Sequence, residues 1–427
     1  MMSFTFMTLI DTLLVGRMGK DELAGVGLGG TIAFTLISFG WGLVRGGKTL
    51  VSQAVGAGRR GEAGGYLGAS LLAGVGFGLV AIAMTWPVGH YLGRVTATVA
   101  EGEHFRSYLI IRSLGAPSAL VFSALREVRY GEGDSRSPMI ASLIANAINA
   151  ILAYAFIFPL GWGVAGAAAA TATAQTIEAL ILAGYQQRIG WGIGTMQRAH
   201  IVALIRVGVP SGLQMLLEIG AFAVLASMVA SMSSAQMAAH QITLQIISFS
   251  FMPAFAIGEA AAVLVGQAVG AARDELVVPI CKLALRVVGG YTTLCTIVFA
   301  SLAPQIVAMF TKDAETRTIG VSLVRVSALF LIMDGANIVA RSVLRGTGDV
   351  RFPAWVGVIC SWGLTPPLAW LLGFHFGLGA FGGWLGLSGE VFLGATVQWF
   401  RVKNGRWKRH AERMRSEVIA IADGRGA

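Results

Sequence analysis

The chain has 427 residues, 55% of them hydrophobic and only 13% charged, with a mean hydropathy of +0.70 and a formal net charge of +10. A soluble chain of this length needs more charge to cover its surface, so the composition excludes a soluble globular fold. The positive charge sits mostly in loops and at the C-terminal end, which reads as membrane orientation and contact with anionic lipid, with no nucleic-acid partner.

Stretches of about 20 apolar residues, the span of a membrane helix, recur along the whole length. They predict twelve spans, the first six at about 1–16, 23–47, 64–89, 105–125, 138–158 and 164–185. The second six fall at about 208–231, 237–265, 277–303, 318–342, 353–374 and 379–400. Span one is short: its residues rise about 24 Å against a hydrocarbon core of about 30 Å. Either the helix begins upstream of Met1 or a tilted neighbour thins the bilayer there. No small-residue cleavage motif follows the apolar start, so a cleavable signal peptide is not expected. Gly, Ala and Ser crowd residues 64–76 and 163–173, where small side chains let membrane helices approach closely. Pro117, Pro253, Pro366 and Pro367 fall inside spans and predict bends. Cys281, Cys295 and Cys360 have no metal-ligand spacing and read as small core residues.

Two landmarks repeat. Gln53-Ala54-Val55-Gly56-Ala57 returns as Gln267-Ala268-Val269-Gly270-Ala271, and Gly131-Glu132-Gly133-Asp134 returns as Gly346-Thr347-Gly348-Asp349. Nearly one offset relates both, so the chain reads as two homologous halves, the plan of a membrane transporter built around a central site. Lys and Arg favour the loops after even-numbered spans, where Arg59, Arg60, Arg126, Arg129, Arg188, Arg273, Arg341 and Arg345 are placed. Positive-inside bias then puts both termini in the cytoplasm, and six spans per half make the repeats parallel. The expected layout is an N-terminal lobe over 1–190, a linker over 191–206, a C-terminal lobe over 207–402 and a basic cytoplasmic tail over 403–427. The fold class is therefore an all-α membrane protein of twelve transmembrane helices in two parallel six-helix repeats.

Several segments carry a resemblance. Asp11-Thr12-Leu13-Leu14-Val15-Gly16-Arg17-Met18-Gly19 with Leu23-Ala24 resembles the opening of multidrug and toxic compound extrusion (MATE) transporters. Gly161-Trp162-Gly163-Val164-Ala165-Gly166, Leu264-Val265-Gly266-Gln267-Ala268 and Leu344-Arg345-Gly346-Thr347-Gly348-Asp349 are similar to further landmarks of that family. The likeness covers essentially the whole chain and leans toward the NorM-like branch. It implies secondary active efflux, driven by protons or sodium, from a cleft between two lobes in the bacterial inner membrane.

Acids inside spans cost several kcal/mol unless paired, protonated or hydrated, as an order of magnitude. Six are present: Asp11, Glu178, Glu218, Glu259, Asp334 and Glu390. The resemblance places Glu218 and Asp334 where the NorM-like branch has its cation-coupling acids, and Asp11 at the family's first-helix acid. Relatives with a first-lobe proton relay carry an aspartate where this chain has Ala153, which favours the second-lobe pair. Protons are favoured slightly over sodium, which Glu218 and Asp334 could ligate only with further oxygens. Met215, Phe222, Met252, Phe330 and Met333 lie near these acids and are candidates to line a cavity for amphipathic cations. Helix packing or lipid contact is the plainer reading for each. Arg45 and Glu259 align under the repeat and are candidates for an inter-lobe gate. Glu178 and Glu390 read equally as structural or functional, and His240 as a packing or hydrogen-bonding residue.

The expected partners are a small organic substrate and the lipid bilayer, with the chain acting as a monomer and no cofactor beyond the coupling ion. No clustered nucleophile or metal constellation supports an enzyme. A lipid-linked oligosaccharide flippase and a dedicated metabolite exporter remain the alternatives.

Overall fold

The computed structural model describes residues 2–94, 96 and 98–424. Among these residues every regular element is helical. The helices are α1 (Met2–Val15), α2 (Lys20–Gly56), α3 (Ala63–Leu92), α4 (Val99–Ser113), α5 (Ala116–Gly131), α6 (Arg136–Ile157) and α7 (Gly163–Ile189). They continue as α8 (Arg198–Ala230), α9 (Ser234–Gly270), α10 (Val277–Ala308), α11 (Ala314–Gly346), α12 (Arg351–Leu368), α13 (Gly379–Lys403) and α14 (Lys408–Ala422). Nine of the described helices are long and apolar enough to cross a membrane alone, and α4 with α5 makes a tenth. The short α1 and the 25-residue α13 complete the twelve spans expected from the sequence.

The chain divides into two compact units. The first comprises Met1–Val55, Arg59–Gly212 and Ala420–Ala427; the second comprises Gly56–Gly58 and Leu213–Ile419. In the first, α7 packs against α1, α4, α5 and α6. Its small residues permit this: a Cβ on Gly166 would stand 2.7 Å from the Phe156 carbonyl oxygen. Buried Tyr108, Ala153, Ile157 and Ala167 share the core beside it. In the second unit α11 is central, packed on α9, α10 and α13. Ile338, Val339, Val343 and Leu344 fix it in a core with Val265, Val269 and Cys281.

The repeat is visible in the loops. Gly133 and Gly348 adopt φ of +91° and +87°, a region open to glycine without strain. The following amides fold back alike, Asp134 N to Arg129 O at 2.8 Å and Asp349 N to Leu344 O at 3.0 Å. Asp134 then accepts from the amides of Arg136 and Ser137 at 2.9 and 3.1 Å, starting α6. Burial pushes the Asp134 carboxyl up, but hydrogen bonds from Ser137 and Arg129 outweigh it and leave the group below its ordinary value. After α2 and α9 the chain turns at Gly58 (φ +74°) and Ala272 (φ +59°). Ala272 is the one non-glycine with positive φ among the described residues.

Four expectations change. Span four is two helices bent by 45°, because Gly115 and Pro117 interrupt it. Pro117 therefore begins α5 instead of kinking mid-helix; its ring would clash with the carbonyl of Ser113 in a continuous helix. Pro366 and Pro367 lie within α12, and the chain then passes into a π-helical segment, Ala369–His375. Arg126, Arg129, Arg341 and Arg345 lie inside α5 and α11, not in loops, because both helices run past the apolar stretch. The basic tail forms α14, whose Trp407, Ala411, Met414 and Val418 side is buried, while Arg415 reaches the Val269 carbonyl at 3.3 Å and Asp274 at 3.2 Å.

Two outcomes follow from these loops. Ala272→Gly removes a left-handed strain and should raise stability by about 1 kcal/mol, read from thermal unfolding of the detergent-purified protein. Because Asp134 is more acidic folded than unfolded, its contribution is present above the unfolded pKa near 4 and is lost as pH falls through the folded value. Asp134→Asn should therefore be less stable than the parent at pH 6, with the gap shrinking below about pH 4 in unfolding measured against pH.

Candidate functional site

The second unit gathers in-span charge around Glu218. Gln214 and Glu218 are one helical turn apart on α8, and Gln214 Nε2 donates to Glu218 Oε1 at 2.8 Å. Arg345 Nη2 donates to Gln214 Oε1 at 2.8 Å, which fixes the amide's orientation. Arg341, one turn earlier on α11, donates from Nη1 to Glu218 Oε2 at 3.1 Å. Both carboxylate oxygens thus hold a donor. Gly357 of α12 makes this possible: a Cβ there would lie 2.4 Å from Glu218 Oε1 and 2.5 Å from Gln214 Nε2.

Two further acids stand near the same guanidinium. Asp334 lies seven residues before Arg341 on α11, two turns along one face, within electrostatic reach of it. Glu390 of α13 accepts a hydrogen bond from Thr365 of α12 and lies within reach of Glu218, Arg341 and Asp334. Glu218, Asp334 and Glu390 therefore all lie within electrostatic reach of Arg341. Among the described residues no three His, Cys, Asp or Glu groups stand as metal ligands. A sodium ion at Glu218 would have to share or displace the donors from Gln214 and Arg341.

Asp11 has a different setting in the first unit. It is fully buried, with Thr171 Oγ1 2.8 Å from its Oδ2 and the Tyr108 hydroxyl donating to Oδ2 at 3.0 Å. Asn149 Nδ2 supports Thr171 from behind at 3.0 Å. Arg112 of α4 lies within electrostatic reach of both Asp11 and Tyr108. The same arginine lines a small cavity with Thr85, Ser113 and Gln175. Ala153, where relatives carry an acid, is buried in the apolar core.

The remaining candidates are spread. Met215 and Phe222 share the Glu218 side of α8, Phe222 exposed and Met215 half-buried. Met333, beside Asp334, is exposed and Met252 half-buried. Phe330 differs from the expectation of a cavity wall: it is 7% exposed and packs near Trp384 in the apolar core. Arg45 acts on Glu127 within its own lobe, and Glu259 is half-buried on α9. Glu178 accepts from Ser142 at 2.6 Å. His240 is buried and accepts from Trp384 Nε1 at 3.1 Å, a hydrogen-bonding role.

A model of the MatE family matches residues 1–155 and 210–371. The chain belongs to the MatE family. It is 31% identical to the probable multidrug resistance protein NorM of Pseudomonas syringae pv. tomato, over 99% of this chain and 94% of that one. The corresponding protein of Pseudomonas aeruginosa is 30% identical, covering 100% and 91%. Among solved structures, the eukaryotic MATE transporter AtDTX14 superimposes with a TM-score of 0.88 at 18% identity, covering 97% and 95%. MatE proteins are membrane transporters, and the fold expected from the sequence is the one observed.

Within this MatE fold, sequence reasoning missed Arg112, Tyr108, Thr171 and the role of Arg341. Arg112 falls inside the predicted span at about 105–125, where a cation is a signal legible in the sequence. Gly357→Ala should cost about 1–3 kcal/mol and separate Gln214 from Glu218. Gly363→Ala, on the same helix with open space at its Cβ, should be near neutral. Thermal unfolding of the two purified variants, compared with transport in vesicles, checks this.

Proposed function

We propose that this chain exports amphipathic organic cations by cation antiport, with Glu218 and Asp334 handling the coupling ion. The observation that carries the reading is the gathering of Glu218 of α8, Asp334 of α11 and Glu390 of α13 within reach of Arg341, three helices in all. Partly exposed acids in an apolar helical lobe can take up a proton, a sodium ion or an organic cation in exchange. Exposed Phe222 and Met333 beside them offer adaptable apolar surface to such a cation. Relatives named as multidrug resistance proteins support efflux of several substrates. Proton coupling is preferred, because both Glu218 oxygens already hold donors that a sodium ion would have to share or displace. Alternating access between the lobes would deliver substrate outward. Arg45 and Glu259 remain candidates for closing the inner side. The location is the bacterial inner membrane with both termini cytoplasmic, as the distribution of Lys and Arg favours, and the working unit is a monomer.

Asp11 is the second candidate for coupling in the first lobe. Its neighbour Arg112 offsets its charge there, which favours a structural or orienting part.

Ethidium transport in proteoliposomes, under separately imposed proton and sodium gradients, tests the assignment. Glu218→Gln and Asp334→Asn should each lower gradient-driven transport by about tenfold or more. Parent-level transport by both variants under either gradient would remove these acids from coupling.

A further inference from the structure

Two arginines related by the repeat stand in opposite charge settings. Arg126 and Arg341 are separated by the offset that relates Gly131 to Gly346. Arg126 grips Glu127 with Nε at 3.3 Å and Nη2 at 2.8 Å. Lys48 reaches the other Glu127 oxygen at 3.3 Å, and Arg45 adds to the field. Glu178 is the further acid near Arg126. Three cations therefore face two acids, and the Arg126 guanidinium is held through two of its own donors.

In the second lobe the balance reverses. Arg341 commits one donor, Nη1, to Glu218. Its Nε is buried and has no hydrogen-bond partner among the described residues. Glu218 of α8 contacts it, and Asp334 on its own helix, Glu390 of α13 and Cys360 of α12 lie within electrostatic reach. Arg345 is engaged by Gln214. Three carboxylates lie within reach of Arg341, and Arg345, bonded to a neutral amide, adds one further cation; three acids against two cations still leave a negative surplus when all three are ionised. Both members of the Arg341–Glu218 pair retain exposure, 20% and 24% of their side chains, so either can change partner without stranding a fully buried charge.

We propose that Arg341 is the resident counter-cation of the second-lobe carboxylates, and that a transported organic cation binds by displacing its guanidinium from Glu218. This rests on the reading of Glu218 and Asp334 as the cation-handling acids. A guanidinium is a planar, weakly hydrated cation on an apolar stem, which makes it a tethered analogue of an amphipathic substrate. It competes with the substrate for Glu218 and returns when the substrate leaves. It thereby keeps affinity modest and favours release, as an exporter needs. Uptake of protons by the acids would weaken the hold on both cations alike.

Ethidium binding to the purified full-length protein at pH 8, followed by fluorescence, tests the idea alongside turnover in proteoliposomes. Arg341→Gln should bind ethidium about tenfold more tightly than the parent and turn over more slowly. Arg341→Lys, which keeps the charge, should stay within about threefold of the parent. Unchanged or weaker binding by a folded Arg341→Gln overturns the proposal. Glu390→Gln keeps the Arg341–Glu218 pair but removes part of the negative surplus, so binding should weaken by about three- to tenfold. Parent-level affinity in that variant also overturns the proposal, whether or not Arg341→Gln folds. Glu218→Gln separates the two levels. If it weakens binding while Arg341→Gln leaves binding unchanged, only the displacement idea fails. If Glu218→Gln itself binds and transports like the parent, the underlying reading of the acids fails with it.

Discussion

An ionised group carried into an apolar helix lobe must find its countercharge or its hydrogen bonds within that lobe. The alternative costs several kcal/mol per group, as an order of magnitude. Much of the side-chain arrangement follows from this requirement. Glu127 is 5% exposed and is met by Lys48 and Arg126. Asp11 is met by Tyr108 and Thr171, with Arg112 in reach. Glu218 is met by Gln214 and Arg341, and Gln214 in turn by Arg345. The close helix approaches that allow these meetings depend on glycine, as at Gly357, where any side chain would occupy the space of the Glu218–Gln214 contact.

The repeat is kept where backbone geometry is demanding and has diverged among the charged side chains. The loops at Gly133 and Gly348 share the positive φ and the backward amide bond, because the turn into the next helix admits few alternatives. Ala272 shows how strong the constraint is. It takes the left-handed conformation of its repeat partner Gly58 despite carrying a Cβ. Beside these loops the side chains have diverged: Asp134 starts α6 and binds Arg129, whereas Asp349 is buried at 1% exposure and binds Arg401.

How much of this is legible in the sequence depends on the range of the interaction. Apolar runs, glycine turns and the duplicated landmarks are local, so the twelve spans and the two halves follow from them. The break between α4 and α5 has a local signal too, Gly115 followed by Pro117, but an apolar run hides it. The α14 face of Trp407, Ala411, Met414 and Val418 has helical spacing and is masked by the basic residues between. Arg341 is harder. A span boundary uncertain by a few residues moves an arginine from a loop into a helix, and only the fold places α13's Glu390 beside it. Arg112 and Tyr108 acquire meaning only once α1 and α4 bring Asp11 to them.

The two lobes differ less in whether they contain acids than in how well those acids are supplied with donors. Asp11 is fully enclosed, hydrogen-bonded by two hydroxyls and within reach of a guanidinium, so an incoming ion would have to dismantle that arrangement. Glu127 is held by three hydrogen-bond or ion-pair contacts from two cations. Among the described residues the guanidinium within reach of Asp334 is that of Arg341, which is already bonded to Glu218. An acid short of donors in a partly exposed position has the weakest claim on a fixed counter-charge. Among the described residues Asp334 is the in-span acid for which this shortage is plainest, which is the physical reason to test it for ion exchange.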